Sequence, residues 1–387
     1  MRDIDRNVVV LGWVSFFTDM ASAMINPLIP VFIVMVLHEG MERLGFIVAV
    51  ATFFSYILRL LSGYVSDRYG IVKPLVVSGY LLSTLGKPLL YFAQSWQSVA
   101  WLRALERVGK GVRSAPKDVM ISCYSKADRE GRTFGFHKTL DIAGELCGSL
   151  LLFVLLLWLG KEEGVLRSLF LATIVPGGIA LALLLFFVRD VPSRGTRPPR
   201  FSLTGADRGV IKNLAVYFAF VFFMFGDAFF TMRAVDSGVA LELIPLLFIV
   251  STGVQTLLSY PLGKLIDRIG EKRVLTFALL CGVGAQLLLF EGSRPSLWCA
   301  YALLGLFTVA SLNANRTLIS RRAENRGSVY GVFYAGIAFF AASGAWVSGF
   351  IWERFGSGSA LLFALCGTAS VAAAYLLIEV RPKRYGA

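Results

Sequence analysis

Long apolar runs alternate along the chain with short polar connections rich in Lys and Arg. Spans are predicted at 8–37, 44–65, 75–93, 98–122, 132–159 and 166–188, and again at 210–235, 240–263, 274–290, 296–320, 327–351 and 358–379. A helix of about 20 residues crosses the roughly 30 Å hydrocarbon core of a bilayer. The pattern therefore predicts an all-α membrane protein of twelve transmembrane helices. One stretch breaks the rhythm. From Arg189 to Arg208 there are three prolines, five arginines and no apolar run. That composition predicts a hydrophilic linker at 189–209. It would join an N-terminal six-helix bundle, 1–188, to a C-terminal one, 210–387.

Composition agrees with a bilayer as the natural solvent. Hydrophobic residues make up 56% of the 387 and charged residues only 16%, and mean hydropathy is +0.68. A soluble domain usually carries about 25% charge. The net charge of +13 would suggest nucleic acid in a soluble chain, but in a membrane chain it is the mark of basic cytoplasmic loops. Placing the N-terminus inside puts most Lys and Arg on the cytoplasmic side. Both termini are thus expected to be cytoplasmic, in a multi-pass plasma-membrane protein. The first apolar run is too long for a leader core and is expected to be retained. The five cysteines are scattered, and His38 and His137 stand too far apart in the sequence for an HExxH site. GKGVRS at 109–114 lacks the Gly of a phosphate loop, since Ala104 occupies that place. No metal, cofactor, nucleotide or nucleic acid is expected. The expected partners are lipid, a small-molecule substrate and protons, with the chain a monomer.

The halves repeat. GYVSDRYGIVKP at 63–74 returns as GKLIDRIGEKRV at 263–274, aligning Gly63 with Gly263, Asp67 with Asp267, Arg68 with Arg268 and Gly70 with Gly270. DREGRTFG at 128–135 returns as ENRGSVYG at 324–331. Two matches at nearly one offset indicate duplication. Parallel repeats of this kind place a substrate path between the halves. The loop after span 2, with its echo after span 8, resembles the signature of the major facilitator superfamily. The resemblance implies two pseudo-symmetric six-helix bundles and a cytoplasmic gate at those eight paired positions. An acid at a helix end there can hold a neighbouring helix N-terminus, or an Arg across the seam between halves. Gly63 and Gly263 would permit close helix contact. FTDMASAMINPLIP at 17–30, RVGKGVRSAPKD at 107–118 and FGFHKTLD at 134–141 further resemble a prokaryotic subfamily assigned mostly as transporters or exporters, which names no ligand.

Span 4 carries the unusual chemistry. At about 100° per residue, Arg103, Glu106, Arg107, Lys110, Arg113 and Lys117 share one face. Charges at membrane depth must meet protein or water. Gly109 and Gly111 thin the helix there, and Pro116 is expected to kink its end. Arg103 and Glu106 resemble the superfamily's span-4 motif, with Arg107 in place of its Gly. Two readings stay open: a cationic wall for an anionic substrate, or an internal ion-pair lattice. Lattice partners are available in Asp19 on span 1 and in His137, Lys138, Asp141 and Glu145 on span 5, while Arg59 and Lys87 add further cations. Asp19, Asp227 and Asp141 are candidate proton carriers, as buried carboxyls whose protonation environment can shift. Gly144 and Gly148 resemble the glycine motif of superfamily antiporters, with Ser149 where that motif has Pro. They read equally as helix packing.

The second half differs. Span 10 is uncharged until Arg316, with Asn313, Asn315 and Thr317 as its polar positions. Span 7 is crowded with Phe218, Phe220, Phe222, Phe223, Phe225, Phe229 and Phe230. Gln255, Tyr260, Tyr330 and Tyr334 offer neutral contacts. A charged wall with an aromatic one suits an amphiphilic organic anion. The leading expectation is a proton-coupled secondary transporter working by alternating access, with export favoured. Import, facilitated diffusion, lipid flipping or a non-transporting sensor remain alternatives. No Ser or Cys nucleophile stands beside a base, so no enzyme activity is expected.

Overall fold

The computed structural model describes residues 4–125, 130–191 and 203–380, without the side chains of 67, 130, 131 and 378–380. Regular structure among the described residues is helical throughout. The chain divides into two compact units, Met1–Arg200 with Ala240–Ile249, and Phe201–Val239 with Val250–Ala387.

In the first unit, helix α1 (Arg6–Ile25) is capped by the Asp5 carboxylate, which accepts from the Asn7 amide at 2.7 Å. It runs through α2 (Leu28–Val31) into a π-helical turn at Phe32–Val36. Pro27 and Pro30 stand where the helical ladder is interrupted. Helix α3 (Met41–Tyr69) ends on Gly70, whose φ of 65° is the left-handed cap that favours glycine. Helix α4 (Lys73–Gly86) continues into a 3-10 turn at Pro88–Phe92. Helix α5 (Trp96–Cys123) opens with a reciprocal capping box between Ser95 and Ser98. It then passes through Pro116 as one helix, so the expected kink does not end it. Helix α6 (Glu130–Leu159) follows, and α7 (Glu163–Ala172) and α8 (Ile174–Phe187) meet at Thr173.

The second unit repeats these devices. Helix α9 (Gly205–Phe223) opens with a capping box between Thr204 and Asp207 and stops at Met224, before α10 (Asp227–Asp236). Helix α11 (Ile244–Ile269) is followed by α12 (Glu271–Glu291) and by α13 (Arg294–Arg322), which Ser293 caps as Ser95 caps α5. Helix α14 (Arg326–Val380) is two helices joined at Gly356, where φ is 83°. Among the described residues, ten segments are long and apolar enough to cross a membrane. Helix α5 is not among them because of its charges, and the stretch on either side of Gly356 counts as one.

Packing explains how a charged α5 is tolerated. It lies against both α3 and α4, while α1 packs on α6 and α8. A Cβ on Gly79 would come within 2.6 Å of the Gly109 carbonyl oxygen, and a Cβ on Gly109 within 2.5 Å of that of Gly79. The two backbones thus touch at reciprocal glycines, as membrane helices do where van der Waals packing drives association. Gly144 and Gly148 press in the same way on the α1 backbone at Phe16 and Met20, which favours their packing role. Leu11, Val14, Val76, Met120, Ile121 and Leu184 are fully buried in one cluster at the end of these helices. By contrast Trp158 and Phe186 are 83% and 80% exposed, as lipid-facing side chains are. The chain leaving α8 is tied down at Arg189. Its amide donates to Asn7 Oδ1 at 3.0 Å, and its carbonyl accepts from the Tyr124 hydroxyl. Burial, helped by Asp190 and Asp5, pushes the Tyr124 phenol up to about 12, so it remains a donor at physiological pH.

Candidate functional site

The charged residues of α5 form three tiers inside the first unit. At the level of its first turns, Arg103 pairs with Glu106 three residues on, and its other terminal nitrogen donates to Asn26 Oδ1 of α1 at 3.3 Å. Both members of the pair are buried. A buried pair offsets its desolvation only when its remaining donors are satisfied, and Asn26 supplies such a contact.

The middle tier is dominated by cations. Lys87, 1% exposed, donates to the Thr18 carbonyl oxygen at 3.4 Å. Arg113 donates to Ser83 Oγ, and its guanidinium lies 4.4 Å from the centroid of the Tyr80 ring, a cation–π arrangement. Ser83 in turn donates to the Glu106 carbonyl oxygen at 3.1 Å. Arg107 is half-buried and Lys110 solvent-exposed. Among the described residues, no carboxylate lies within 4.0 Å of Lys87, Arg107, Lys110 or Arg113. Asp19 of α1 is the acid common to this region, within electrostatic range of Lys87, Lys110, Lys117 and His137.

The third tier centres on a residue that sequence reasoning missed. Ser15, 1% exposed, accepts from Lys117 Nζ at 3.0 Å and lies 3.3 Å from the Tyr80 hydroxyl and 3.0 Å from His137 Nε2. His137 Nδ1 stands 3.6 Å from Asp141 Oδ1, and Lys117 Nζ stands 4.0 Å from the same oxygen. Lys138, at the flank, is 3.7 Å from Asp141 Oδ2. Asp141 Oδ1 is buried without a hydrogen bond, so Lys117 acts on it by charge alone. Ser15 sits one turn before Asp19 on α1, and that helical spacing was the signal available for it.

Arg59 is half-buried on α3, where its backbone amide would lie 3.2 Å from a Cβ on Gly111. Asp227 differs from expectation. It is exposed in the first turn of α10, just after the break at Met224–Gly226, instead of buried within a helix. A helix N-terminus accommodates an acid there through its unpaired amides. Arg233 caps the opposite end of a neighbour, donating to Leu289 and Phe290 carbonyl oxygens at 3.1 and 3.0 Å. Asn313 donates to the Ser259 carbonyl oxygen at 3.4 Å, while Asn315 is fully buried. Phe220, Phe225, Phe229 and Phe230 are core residues at 2% exposure or less, with Phe225 and Phe229 tilted against Trp352. Those four cannot form a ligand-facing wall.

At the repeated loops, Gly70 and Gly270 both take positive φ, 65° and 90°. A Cβ on Gly63 would lie 3.3 Å from Ala115 Cβ, but one on Gly263 would meet nothing within 4 Å. Close helix contact is therefore realised at Gly63 and not at Gly263. Asp267 bonds Arg321 Nη2 at 2.6 Å, and the buried Glu271 bonds Arg322 at 2.7 Å and lies 3.7 Å from Arg321. The acid of the second loop thus holds an arginine of its own unit. The Asp67 side chain lies outside the described residues. Arg68 and Arg268 are exposed.

These helices, with a charged helix enclosed by apolar ones, define a polytopic membrane transporter fold. A family profile described as Major Facilitator Superfamily matches residues 11–235 and 231–386. An MFS-type transporter of Methanocaldococcus jannaschii, itself uncharacterised, is 30% identical over 363 residues, covering 91% of this chain and 90% of its own. The multidrug resistance protein MdtH of Aeromonas hydrophila is 24% identical over 292 residues, covering 74% and 72%. Among solved structures, the nucleoside transporter NupG, as its D323A mutant, superposes with a TM-score of 0.80 at 13% identity, over 96% of this chain and 99% of its own. The chain belongs to the major facilitator superfamily. It is a multi-pass membrane protein of a family that carries small molecules across membranes.

Proposed function

We propose that the protein is a proton-coupled secondary transporter that exports a small, amphiphilic organic anion by alternating access. The observation that carries this reading is the middle tier. Arg107 and Lys110 are reachable by solvent and have no carboxylate within 4.0 Å among the described residues. The buried Lys87 and Arg113 stand in the same tier, and their hydrogen-bond and ring partners among the described residues are a carbonyl, a hydroxyl and the Tyr80 ring. A pure lattice would balance its charges, because an unpaired ion in a low-dielectric interior is costly. Asp19 is the proton carrier in this reading, being the acid that the surrounding cations share. Similarity to multidrug resistance proteins supports export.

The same reading takes α5 as a span, separates two spans at Gly356, and so counts twelve in bundles 1–188 and 210–387 with a linker at 189–209. Both termini are placed in the cytoplasm of a plasma-membrane monomer, in a subfamily marked by the 107–118 motif. The paired loops at Gly63–Gly70 and Gly263–Gly270 are its cytoplasmic gate. The test is ligand-induced thermal stabilisation of the detergent-purified protein, since a ligand of the native state raises its melting temperature. Organic anions, chelates, cationic drugs, lysolipids and sugars form the panel. Only anions are expected to raise the melting temperature, and Arg107→Ala to remove the shift. Stabilisation by cations or neutral compounds alone would make the α5 charges a structural lattice.

A further inference from the structure

We infer that the substrate presents a compact, doubly charged anionic group, such as a phosphate monoester, to Arg107 and Lys110. This rests on the anion reading above and narrows it. Two acids of the cluster are engaged elsewhere: Glu106 with Arg103, and Asp141 among Lys117, His137 and Lys138. With Glu106 taken by Arg103, Asp19 is the further acid in range of Lys87 and Lys110, and Arg113 has the Ser83 hydroxyl and the Tyr80 ring. A monoanion would leave this tier with an excess of two positive charges. A dianion brings it within one of balance, and a single bound proton on Asp19 would be felt by Lys87 and Lys110.

Accessibility divides the labour. Lys87 and Arg113 are 1% and 6% exposed and already spend donors on Thr18 and Ser83. They supply positive potential from behind. Arg107 and Lys110 are the reachable cations of the tier. Three residues apart on one helix, their side chains start about 5–6 Å from each other. That separation fits one small group with several oxygens better than two distant carboxylates. A guanidinium offers paired N–H donors to a tetrahedral or planar oxyanion, while an ammonium acts as a point charge beside it.

Matched esters isolate the charge from the shape. Naphthyl, hexyl and glyceryl phosphates are compared with the corresponding sulfates, which are nearly the same size but singly charged. Thermal stabilisation of the full chain is measured at pH 7.5 and pH 5.0. Phosphate monoesters lose their second charge near pH 6, so the lower pH makes each pair equal in charge. At pH 7.5 the phosphate is expected to half-saturate the shift at least tenfold below its sulfate. That gap should close at pH 5.0 and in Lys110→Gln, and return in Lys110→Arg. Lys110 is exposed, and the unliganded melting temperature of each variant reports its folding independently. Sulfates that match their phosphates at pH 7.5 would overturn the dianion inference while leaving the anion reading in place. Failure of every ester, with cationic or neutral compounds stabilising instead, would remove both.

Discussion

Lys87 donates to a backbone carbonyl at 3.4 Å, is 1% exposed, and has no described carboxylate within 4.0 Å. Removing a buried ion from water costs several kcal/mol even after relaxation, and a well-packed apolar replacement is often neutral or stabilising. Lys87→Met is therefore expected to melt no lower than the parent protein while its anion affinity falls about tenfold, on the order of 1.4 kcal/mol. A lower melting temperature with unchanged affinity would make Lys87 a structural residue. Ser15 predicts the opposite. Ser15→Ala leaves Tyr80, His137 and Lys117 without their common partner. Each buried orphan costs about 1–3 kcal/mol, so a clear drop in melting temperature is expected. Arg103 with Glu106 was legible from sequence because an i,i+3 pair meets on any helix. Ser15 was not, because its one signal, a position one turn before Asp19, does not reveal a hub until α4, α5 and α6 arrive beside it.

Among the elements, α5 shows how helix packing overrides hydropathy. Its charges remove it from the apolar spans, yet α3 and α4 pack against it. The approach of α4 depends on Gly79 and Gly109, where an added Cβ would strike backbone oxygen at 2.6 and 2.5 Å. Backbone cannot turn aside as a side chain can. Gly109→Ala is expected to cost about 1–3 kcal/mol through overpacking and to disturb the tier that Ser83 and Arg113 build. Gly263→Ala, with open space at its Cβ, should fall within about 0.5–1 kcal/mol of the parent and can gain from helix propensity. Thermal melts of the two variants side by side test this. A large loss at Gly263 would mean that a second conformation brings a helix against it. The twin glycines look alike in sequence, since the repeat preserves the residue. Only the neighbour, Ala115 in one unit and nothing in the other, separates them.

For the molecule as a whole, the two units share helix caps and loop glycines but divide their chemistry. Ser95 and Ser293 cap corresponding helices, and Gly70 and Gly270 take positive φ at corresponding loops. The first unit then buries Lys87, Arg103, Glu106, Arg113 and His137 in its interior, whereas the second buries Phe220, Phe225, Phe229 and Phe230. In proteoliposomes, Asp19→Asn is expected to keep substrate exchange at equal pH on both sides. It should lose accumulation driven by a pH gradient, because an amide cannot carry the proton. Equal gradient-driven accumulation in parent and variant would move the coupling role elsewhere, with His137 and Asp141 next to test.

The sequence alone determined the helical membrane architecture, the internal duplication and the family, because hydropathy, repeat spacing and loop motifs are local properties. It also marked the charged face of α5, since helical periodicity depends only on spacing. Tertiary structure decided which of those charges pair and which do not. Burial of Lys87, the hub at Ser15, the exposure of Asp227 and the sequestering of Phe220, Phe225, Phe229 and Phe230 in the core depend on which helices become neighbours. That choice is set by shape at a few glycines and by desolvation, which residue types in sequence order do not encode.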